Sequence, residues 1–395
     1  MKKTIEDIDV KGKKALIRCD FNVPLSEDGS ITDDSRITAT LPTLKFLLER
    51  GAALILMSHL GRPDGEANMK YSLRVVAERL SMLLGKSVTF VSSPTVVDDD
   101  VKTTAKNLQP GDIMLLENVR FRKEETKNGP DFAKELASLG DLFVNDAFGT
   151  AHRAHASTTR IATYLPAVSG YLLEKEIEFL GEVVENPERP FVAIMGGAKV
   201  SDKVPVIENL LKKVDTLIIG GGMAFTFLKS QGFEIGSSIL EKEHLELASS
   251  LLSQAESAGI KLLLPVDVVM AREFRNDAEQ LVCSAQEIPA GWMGFDIGPK
   301  TIDLFCTEIK NAKTILWNGP MGVFEMPNFA KGTKAVAEAL AESGAVTLIG
   351  GGDSAAAIEQ LNLTSKITHV STGGGASLEY LGGKVLPGVA ALLDR

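Results

Sequence analysis

The stretch Val346-Thr347-Leu348-Ile349-Gly350-Gly351-Gly352-Asp353-Ser354 runs from a short apolar segment through three glycines into residues that favour a helix. The same order recurs at residues 217–222 and 367–375. Because glycine readily adopts a positive φ, such a turn can present bare backbone N–H groups to an anion at a helix N-terminus. The three segments together predict α/β architecture and phosphate binding, although any one turn could contain glycine for steric reasons alone.

Short β-rich runs alternate with helical patterns along the rest of the chain, which is typical of parallel sheets covered by helices. Strands are predicted at residues 15–18, 53–57, 88–91, 113–116, 142–144, 191–195, 216–219, 261–264, 314–317, 346–349 and 367–370. Residues 165–170 interrupt this alternation and mark the expected boundary. We predict two doubly wound, Rossmann-like α/β domains, 1–170 and 171–379, joined by a helix and a hinge, with the tail from about 380 to 395 packing back on the first.

Composition excludes several classes of protein. The 395 residues have a net charge of −10, which argues against a nucleic-acid partner. No charged-then-apolar leader or membrane-length apolar run is visible, so a cytoplasmic protein is expected. Cys19, Cys283 and Cys306 have no disulfide or zinc spacing and are predicted to be buried thiols. His152 and His155 lack further ligands, so no protein-held transition metal is expected.

Polar side chains follow several predicted strands of the first half. In open parallel sheets, ligands bind beyond the carboxyl ends of the strands, so these side chains are candidates for a binding site. They are Asp20, Asn22, Arg36, His59, Arg62, Arg120 and Arg153. Guanidinium groups match phosphate and carboxylate oxygens, and their convergence favours a small, multiply anionic ligand. Each arginine alone could instead be a surface residue or the partner of an acid, and His59 could be a structural histidine.

The second half offers a different kind of anion site. Lys199 lies just before a predicted helix and Lys203 within its first turn. Two like charges at a helix N-terminus favour the binding of a polyphosphate there. Alternatively, both lysines could be solvated surface residues. Asp353 could hold Mg²⁺ brought by a nucleotide, or cap a helix. Asn318 and Glu325 flank an apolar loop suited to a base and ribose, or an ordinary loop. Neither a Walker A motif nor a dinucleotide fingerprint is present.

Several of these segments resemble, in order, those of the phosphoglycerate kinase family. They are Asp20-Phe21-Asn22-Val23-Pro24, Ser58-His59-Leu60-Gly61-Arg62-Pro63, Gly196-Gly197-Ala198-Lys199-Val200-Ser201-Asp202-Lys203, Trp317-Asn318-Gly319-Pro320-Met321-Gly322 and Gly350-Gly351-Gly352-Asp353-Ser354. The resemblance covers essentially the whole chain. It implies reversible transfer of the acyl phosphate of 1,3-bisphosphoglycerate to ADP in glycolysis and gluconeogenesis, giving 3-phosphoglycerate and ATP, with Mg²⁺ and hinge closure. It also implies a monomer whose partners are small molecules, without a membrane or nucleic-acid partner.

The resemblance further implies roles for individual residues. The substrate-binding set is Asp20, Phe21, Asn22, Arg36, His59, Leu60, Gly61, Arg62, Arg120 and Arg153. The nucleotide-binding set is Lys203, Gly220, Gly221, Gly294, Asn318, Glu325, Gly350, Gly351, Gly352, Asp353 and Ser354, with Asp353 also at the Mg²⁺. The catalytic set is Arg36, Lys199, Gly373, Gly374 and Gly375. Two departures are visible: Ser354 stands where many members have Thr, and the segment Leu381-Gly382-Gly383-Lys384 has a second glycine where an acidic residue is usual.

This chemistry requires no acid–base pair, and none stands out. A substrate carboxylate with a pKa near 4 is ionised at neutral pH, so it needs no general base, and His59 is expected to bind rather than to transfer protons. Two other functions remain open from the residues alone. A nicotinamide-dependent dehydrogenase also uses two α/β lobes, although its fingerprint is missing here. A two-lobe binding protein for an anionic metabolite would form no ATP.

Overall fold

The computed structural model describes residues 1–395 and divides them into two compact units. The first contains Met1–Ile177 together with Val385–Arg395, and the second contains Glu178–Lys384. Each unit is built around its own six-stranded sheet. The first unit therefore takes its residues from both ends of the chain.

The sheet of the first unit is wholly parallel, with the strand order β3-β4-β2-β1-β5-β6. Its strands are β1 (Lys14–Cys19), β2 (Ala53–Met57), β3 (Thr89–Val91), β4 (Ile113–Leu116), β5 (Leu142–Asp146) and β6 (Ala167–Ser169). The helices are α1 (Ser35–Glu49), α2 (Arg74–Leu84), α3 (Asp99–Asn107), α4 (Lys123–Thr126), α5 (Pro130–Ala137) and α6 (Tyr171–Glu185), the last of which contains the boundary between the units.

The central strands of this sheet are buried along their length, as expected of parallel strands covered on both faces. The chain leaves β1 towards β2 on one side, whereas β5 lies on the other side of β1. Ligands of doubly wound sheets bind where the strand order reverses in this way. The carboxyl ends of β1 and β5 are therefore the expected position of a site.

The second unit repeats this plan with the parallel strand order β10-β8-β7-β15-β16-β17. The strands of the unit are β7 (Phe191–Met195), β8 (Thr216–Ile219), β9 (Glu234–Ile235), β10 (Lys261–Leu263), β11 (Asp267–Ala271), β12 (Gln280–Ser284), β13 (Glu287–Ile288), β14 (Met293–Ile297), β15 (Thr314–Asn318), β16 (Val346–Gly350) and β17 (His369–Val370). Its helices are α7 (Val204–Leu210), α8 (Ala224–Ser230), α9 (Leu245–Ser257), α10 (Pro299–Asn311), α11 (Lys331–Glu342), α12 (Gly352–Gln360) and α13 (Gly375–Leu381). Here the order reverses between β7 and β15.

The prediction of two doubly wound parallel sheets is confirmed, and two details of it were wrong. Residues 165–170 do not interrupt the alternation, because they contain β6, which pairs in parallel with β5. The sequence analysis also missed an antiparallel sheet, β12-β11-β14, and the short pair β13-β9. β12 is largely exposed and has no buried stripe, which explains why its pattern did not indicate a strand.

The C-terminal residues belong to the first unit and pair with its N-terminal segment. The Lys3 N–H donates to the Leu393 carbonyl at 2.8 Å, and the Leu393 N–H donates to the Ala167 carbonyl of β6 at 3.0 Å. The short helix α14 (Pro387–Ala390) is joined to the first unit by its Gly388 N–H, which donates to the Ala151 carbonyl at 2.8 Å. Both ends of the chain thus extend the edge of the sheet at β6.

Candidate functional site

A basic cleft of about 470 Å³ lies on the first unit. Its basic lining side chains are Arg62, Arg120, Arg122, Lys123, Lys127 and Arg153. Asp64 is the only acidic residue in the lining. Three arginines that the sequence predicted from separate loops, Arg62, Arg120 and Arg153, therefore meet here. Such an excess of positive charge in a concave surface favours a small, multiply charged anion.

Arg120 is held by the loops that follow β2 and β4. It lies in a single 3₁₀ turn, and its Nη1 donates to the Gly61 carbonyl at 2.9 Å. Asn118 ties the same loops together, because its side-chain amide donates to the Leu60 carbonyl at 2.8 Å. Burial, with the charges of Arg18 and Arg153, lowers the pKa of Arg120 to about 10, so the side chain is still charged at neutral pH. Its Nε is buried without a hydrogen-bond partner and is available to an anion.

The loop after β1 carries the other predicted polar groups. Arg36, the second residue of α1, donates through Nη1 to the Asp20 carboxylate. The Asn22 side-chain oxygen accepts from the Gly61 N–H at 2.8 Å, which joins this loop to the one after β2. His59 is buried, and burial first, then the charges of Arg18 and Arg120, hold its pKa well below the usual value. A neutral His59 can hydrogen bond to a ligand but carries no proton to donate as an acid at neutral pH.

Arg18 is a buried residue to which the sequence analysis assigned no role. Its Nε donates to Ser157 Oγ at 2.9 Å, and its Nη2 lies 3.1 Å from His59 Nδ1. Ser157 Oγ in turn donates to the fully buried Glu125 at 2.7 Å. Burial opposes ionisation of Glu125, but His155, Arg18 and Ser157 outweigh it and hold the pKa of Glu125 below its ordinary value. An arginine within an otherwise apolar strand was the signal that could have revealed this network.

Two residues of the predicted substrate set have side chains that point into the core. Phe21 and Leu60 are almost completely buried in the hydrophobic core of the first unit. The Phe21 N–H donates to Ser58 Oγ at 2.9 Å and therefore fixes the loop after β1. Their side chains support the loops after β1 and β2, so any contact with a ligand would come from the backbone, and their place in the substrate set stays a prediction.

An apolar cavity of about 590 Å³ lies in the second unit. Its lining includes Gly221, Gly294, Glu325 and Asp353 of the predicted nucleotide set, together with apolar side chains such as Phe225, Ile239, Phe274, Met293, Met321 and Val323. Asp296, Glu325 and Asp353 are the only lining residues with an ionisable side chain. A mainly apolar cavity with a few polar points suits a flat heteroaromatic group attached to a polar chain.

The turns after β8, β7 and β15 pack backbone against backbone beside this cavity. The Gly197 N–H donates to the Pro320 carbonyl at 3.0 Å, and the Gly221 N–H donates to the Met321 carbonyl at 3.2 Å. Gly221 has a φ of +66°, and a Cβ there would lie 2.6 Å from the Gly197 nitrogen. The steric explanation is therefore sufficient for Gly220 and Gly221, because a side chain at either would displace its neighbours.

Two positions in the other glycine turns, Gly352 and Gly374, face open space. Gly351 has a φ of +92° and leads directly into α12, and a Cβ at Gly352 would meet no atom within 4 Å. Gly374 has a φ of +50° at the start of α13 and faces open space in the same way. Space above the backbone at the N-terminus of a helix is the arrangement that binds phosphate.

The structure adds three details to the predicted nucleotide and catalytic sets, whose roles stay predictions. Ser354 is buried, and its hydroxyl accepts from the Gly319 N–H at 2.6 Å, so it supports a turn and does not line the cavity. The Gly373 N–H donates to Ser371 Oγ at 3.2 Å and is not free for a ligand. Lys203 precedes α7, which begins at Val204, and so does not lie within its first turn.

The two lysines of the loop after β7 differ in environment. Lys199 is exposed, whereas Lys203 is half-buried. Burial lowers the pKa of Lys203 to about 8, although Asp202 and Asp353 partly oppose this. A lysine whose charge is disfavoured by burial gains from a bound anion, since the anion stabilises the charged form. Asn318 is also buried in this region, and neither atom of its amide has a hydrogen-bond partner.

The structure contains no cluster of three or more histidine, cysteine, aspartate or glutamate side chains able to hold a metal ion. Asp353 therefore offers a single hard oxygen ligand, which fits Mg²⁺ that arrives coordinated by phosphates. All three cysteines are free; Cys19 is buried and the other two are partly exposed. None of the helices is long and apolar enough to cross a membrane.

Comparison with known proteins agrees with this geometry. The family model for phosphoglycerate kinase matches residues 5–384. The phosphoglycerate kinase of Clostridium perfringens (strain SM101 / Type A) is 60% identical over 395 residues, covering 100% of this chain and 99% of the relative. That of Clostridium botulinum (strain Alaska E43 / Type E3) is 61% identical over 394 residues with the same coverage. The structure of phosphoglycerate kinase from Coxiella burnetii superposes with a TM-score of 0.90 at 43% identity, covering 99% of this chain and 98% of that one. This chain belongs to the phosphoglycerate kinase family.

Proposed function

We propose that this chain transfers the acyl phosphate of 1,3-bisphosphoglycerate to ADP, reversibly, giving 3-phosphoglycerate and ATP. It is a phosphotransferase of glycolysis whose acceptor, in the reverse direction, is a carboxyl group. The observation that carries this assignment is the pairing of two unlike sites in one chain of this family. The first unit has a basic cleft for a small anion, and the second has an apolar cavity beside open helix N-termini.

The glycerate substrate binds to the first unit. Arg62, Arg120 and Arg153 offer guanidinium groups to its 3-phosphate, and the unpaired Nε of Arg120 supports this role. Asp20 and Asn22 accept a hydrogen bond from the substrate hydroxyl through lone pairs that remain beside their bonds to Arg36 and to the Gly61 N–H. Arg36 neutralises the transferring group, and its pairing with Asp20 holds it near the ligand until then.

The nucleotide binds to the second unit. The base lies in the apolar cavity near Gly221 and Gly294, with Glu325 as the polar partner of the ribose. The phosphates approach the open backbone at Gly352 and the amine of Lys203. Mg²⁺ that enters with the nucleotide is held through Asp353 and neutralises phosphate charge during transfer.

Positioning and charge account for the catalysis. Phosphoryl transfer depends on alignment and on stabilisation of charge on the transferring group more than on covalent help. Arg36, Lys199 and the N–H groups of Gly374 and Gly375 supply that charge stabilisation. His59 is neutral and binds the substrate without transferring a proton. Because the two substrates bind to separate compact units, hinge closure must bring them together and exclude the water that would hydrolyse the acyl phosphate.

The reaction takes place in the cytoplasm and the enzyme works as a monomer. A soluble glycolytic reaction with small-molecule substrates needs neither a membrane nor a macromolecular partner, and the charge of −10 disfavours nucleic acid. Light scattering coupled to gel filtration would test the monomer directly, since a dimer would double the mass of 42.3 kDa.

A coupled enzyme assay tests the proposed activity. Purified chain, ADP, Mg²⁺ and enzymatically generated 1,3-bisphosphoglycerate should yield ATP at a rate proportional to the chain, and omission of any component should abolish the yield. Binding of both substrates without ATP formation would favour the metabolite-binding protein instead. A thermal shift with NAD and none with ADP would favour the dehydrogenase.

A further inference from the structure

Glu241 makes three hydrogen bonds to the loop that carries the two lysines. Its Oε2 accepts from the Val200 N–H at 2.6 Å and from the Ser201 N–H at 3.1 Å, while its Oε1 accepts from the Ser201 hydroxyl at 2.5 Å. These bonds join residues about 40 positions apart in the sequence. The two backbone donors lie between Lys199 and Lys203.

Glu241 is itself anchored to the element that follows the first glycine triplet. Its backbone N–H donates to the Thr226 hydroxyl at 3.2 Å, and Thr226 is a buried residue of α8. Ile239, two residues earlier, lines the apolar cavity. The segment around Glu241 thus connects the lysine loop to both α8 and the wall of the cavity.

Backbone hydrogen bonds fix the start of the lysine loop, where the Gly197 N–H donates to the Pro320 carbonyl at 3.0 Å, and Glu241 supplies the side-chain acceptors at its middle. Residues 196–203 form no helix or strand, and α7 begins only at Val204. Lys199 is exposed and has no ion-pair partner in the structure. A displacement of the order of 1 Å in a charge-bearing group can reduce catalysis by about a hundredfold. An interaction that sets the path of the loop therefore acts on both lysines.

Glu241 is well suited to such a role as a carboxylate. Burial alone would raise the pKa of Glu241, but the hydrogen bonds from Ser201 and Val200 outweigh it and hold the pKa below the ordinary value. His244 Nδ1 lies 3.8 Å from Glu241 Oε1 and is the one titratable neighbour close to it. The Glu241 carboxylate is therefore ionised at neutral pH, and hydrogen bonds to a charged acceptor are stronger than those to a neutral one.

We propose that Glu241 is a positioning residue for phosphoryl transfer, holding the backbone at Val200 and Ser201 so that Lys199 and Lys203 are presented to the nucleotide phosphates. This inference rests on the proposed function of the second unit as the nucleotide site. Glu241 touches neither substrate in this role, and it acts through the lysine loop. Sequence analysis did not find it, because its partners are distant in the sequence.

Substitutions of Glu241 in the full-length chain test the proposal. Glu241→Ala removes all three acceptors and should raise the ADP dissociation constant by roughly tenfold, equivalent to about 1.4 kcal/mol, and reduce kcat at saturating nucleotide by a similar factor. Glu241→Gln keeps the shape, because its carbonyl can accept from both N–H groups and its amide can donate to Ser201 Oγ. It should retain ADP binding within about twofold of wild type.

Three controls separate positioning from general destabilisation. Glu243→Ala removes an exposed carboxylate from the same segment and should change neither ADP binding nor kcat. Leu251→Ala creates a cavity in the core at α9 and should lower the unfolding temperature while leaving the ADP dissociation constant unchanged. The dissociation constant for 3-phosphoglycerate, which concerns the first unit, should stay within about twofold of wild type in every variant.

The outcomes distinguish this inference from the proposed function. The role of Glu241 would be overturned if Glu241→Ala had the same ADP affinity and kcat as Glu243→Ala. It would also be overturned if Leu251→Ala lost as much ADP affinity as Glu241→Ala. A wild-type chain that forms no ATP would instead refute the proposed function, and the ADP titrations would still decide whether Glu241 holds the loop.

Discussion

Alanine at Gly352 is predicted to weaken ADP binding without loss of stability, whereas alanine at Gly221 is predicted mainly to lower stability. Gly352 begins α12, has no positive φ, and would place a Cβ in open space. Alanine there should leave stability unchanged or raise it by about 0.5–1 kcal/mol, since glycine is the poorer helix former. If nucleotide phosphates approach this backbone, the methyl group occupies their space, and ADP affinity should fall by roughly tenfold or more, about 1.4 kcal/mol.

Gly221→Ala should instead lose mainly stability. Its φ of +66° costs an alanine about 1–2 kcal/mol. The new Cβ would also lie 2.6 Å from the Gly197 nitrogen and 2.7 Å from the carbonyl oxygens of Gly197 and Pro320, all of them backbone atoms. Overpacking of this kind costs a further 1–3 kcal/mol, roughly, so the total should be about 2–5 kcal/mol.

Gly232→Ala is the matched control, because Gly232 has a φ of +89° and nothing within 4 Å of a Cβ. Gly232→Ala should lose only the stability that a positive φ costs an alanine, with no loss from steric overlap. Urea unfolding and calorimetric titration with ADP measure both quantities on the three variants. The reasoning is refuted if Gly352→Ala binds ADP as wild type does, or if Gly221→Ala is as stable as Gly232→Ala.

Other predictions concern turnover, pH and compaction. Arg36→Ala and Lys199→Ala should each reduce kcat far more than substrate affinity, because both groups are assigned to the transferring phosphoryl; unchanged turnover in steady-state assays would exclude that role. Burial raises the pKa of Asp296 to about 7 from 3.8. Between pH 3.8 and about pH 7 the folded state therefore retains a proton that the unfolded state releases. In this pH range the group lowers the free energy of unfolding by up to about 1.4 kcal/mol for each pH unit of increase. In thermal unfolding from pH 4 to 7, Asp296→Asn should therefore lose less stability with rising pH than wild type; identical slopes would contradict the shift. Small-angle scattering should show a large compaction only when 3-phosphoglycerate and ADP are both present, and equal compaction with one ligand would count against hinge closure.

The residues that sequence analysis interpreted well lie at the ends of strands. Arg62, Arg120 and Arg153 were predicted to converge because parallel strands bring their carboxyl ends to one edge of a sheet, and the structure places all three in one cleft. The glycine triplets were likewise predicted to follow strands and precede helices, and each has a positive φ at its second glycine, at +66°, +92° and +50°. Both inferences depend on the order of strands, turns and helices and on the hydrophobic period along the chain.

The failures concern contacts that no local pattern encodes. Ser354 follows the second glycine triplet and Gly373 begins the third, yet Ser354 accepts from the Gly319 N–H and the Gly373 N–H donates to Ser371 Oγ. Arg18 was assigned no role, whereas the structure shows that it is fully buried and linked through Ser157 to Glu125. Burial and pairing depend on the positions of residues far apart in the sequence, so neither could be inferred from spacing.

The amino-acid sequence by itself determined the alternation of strands and helices, the glycine turns and the polar strand ends, because hydrophobic period and backbone preference act over a few neighbouring residues. Only the tertiary structure decided which of those glycines is required by steric crowding and which faces open space. At Gly221 the crowding comes from the backbone of Gly197 and Pro320, whereas at Gly352 no atom lies within 4 Å of the position that a Cβ would take. The physical reason is that a close approach of backbone to backbone depends on how distant turns pack, which local preference does not specify.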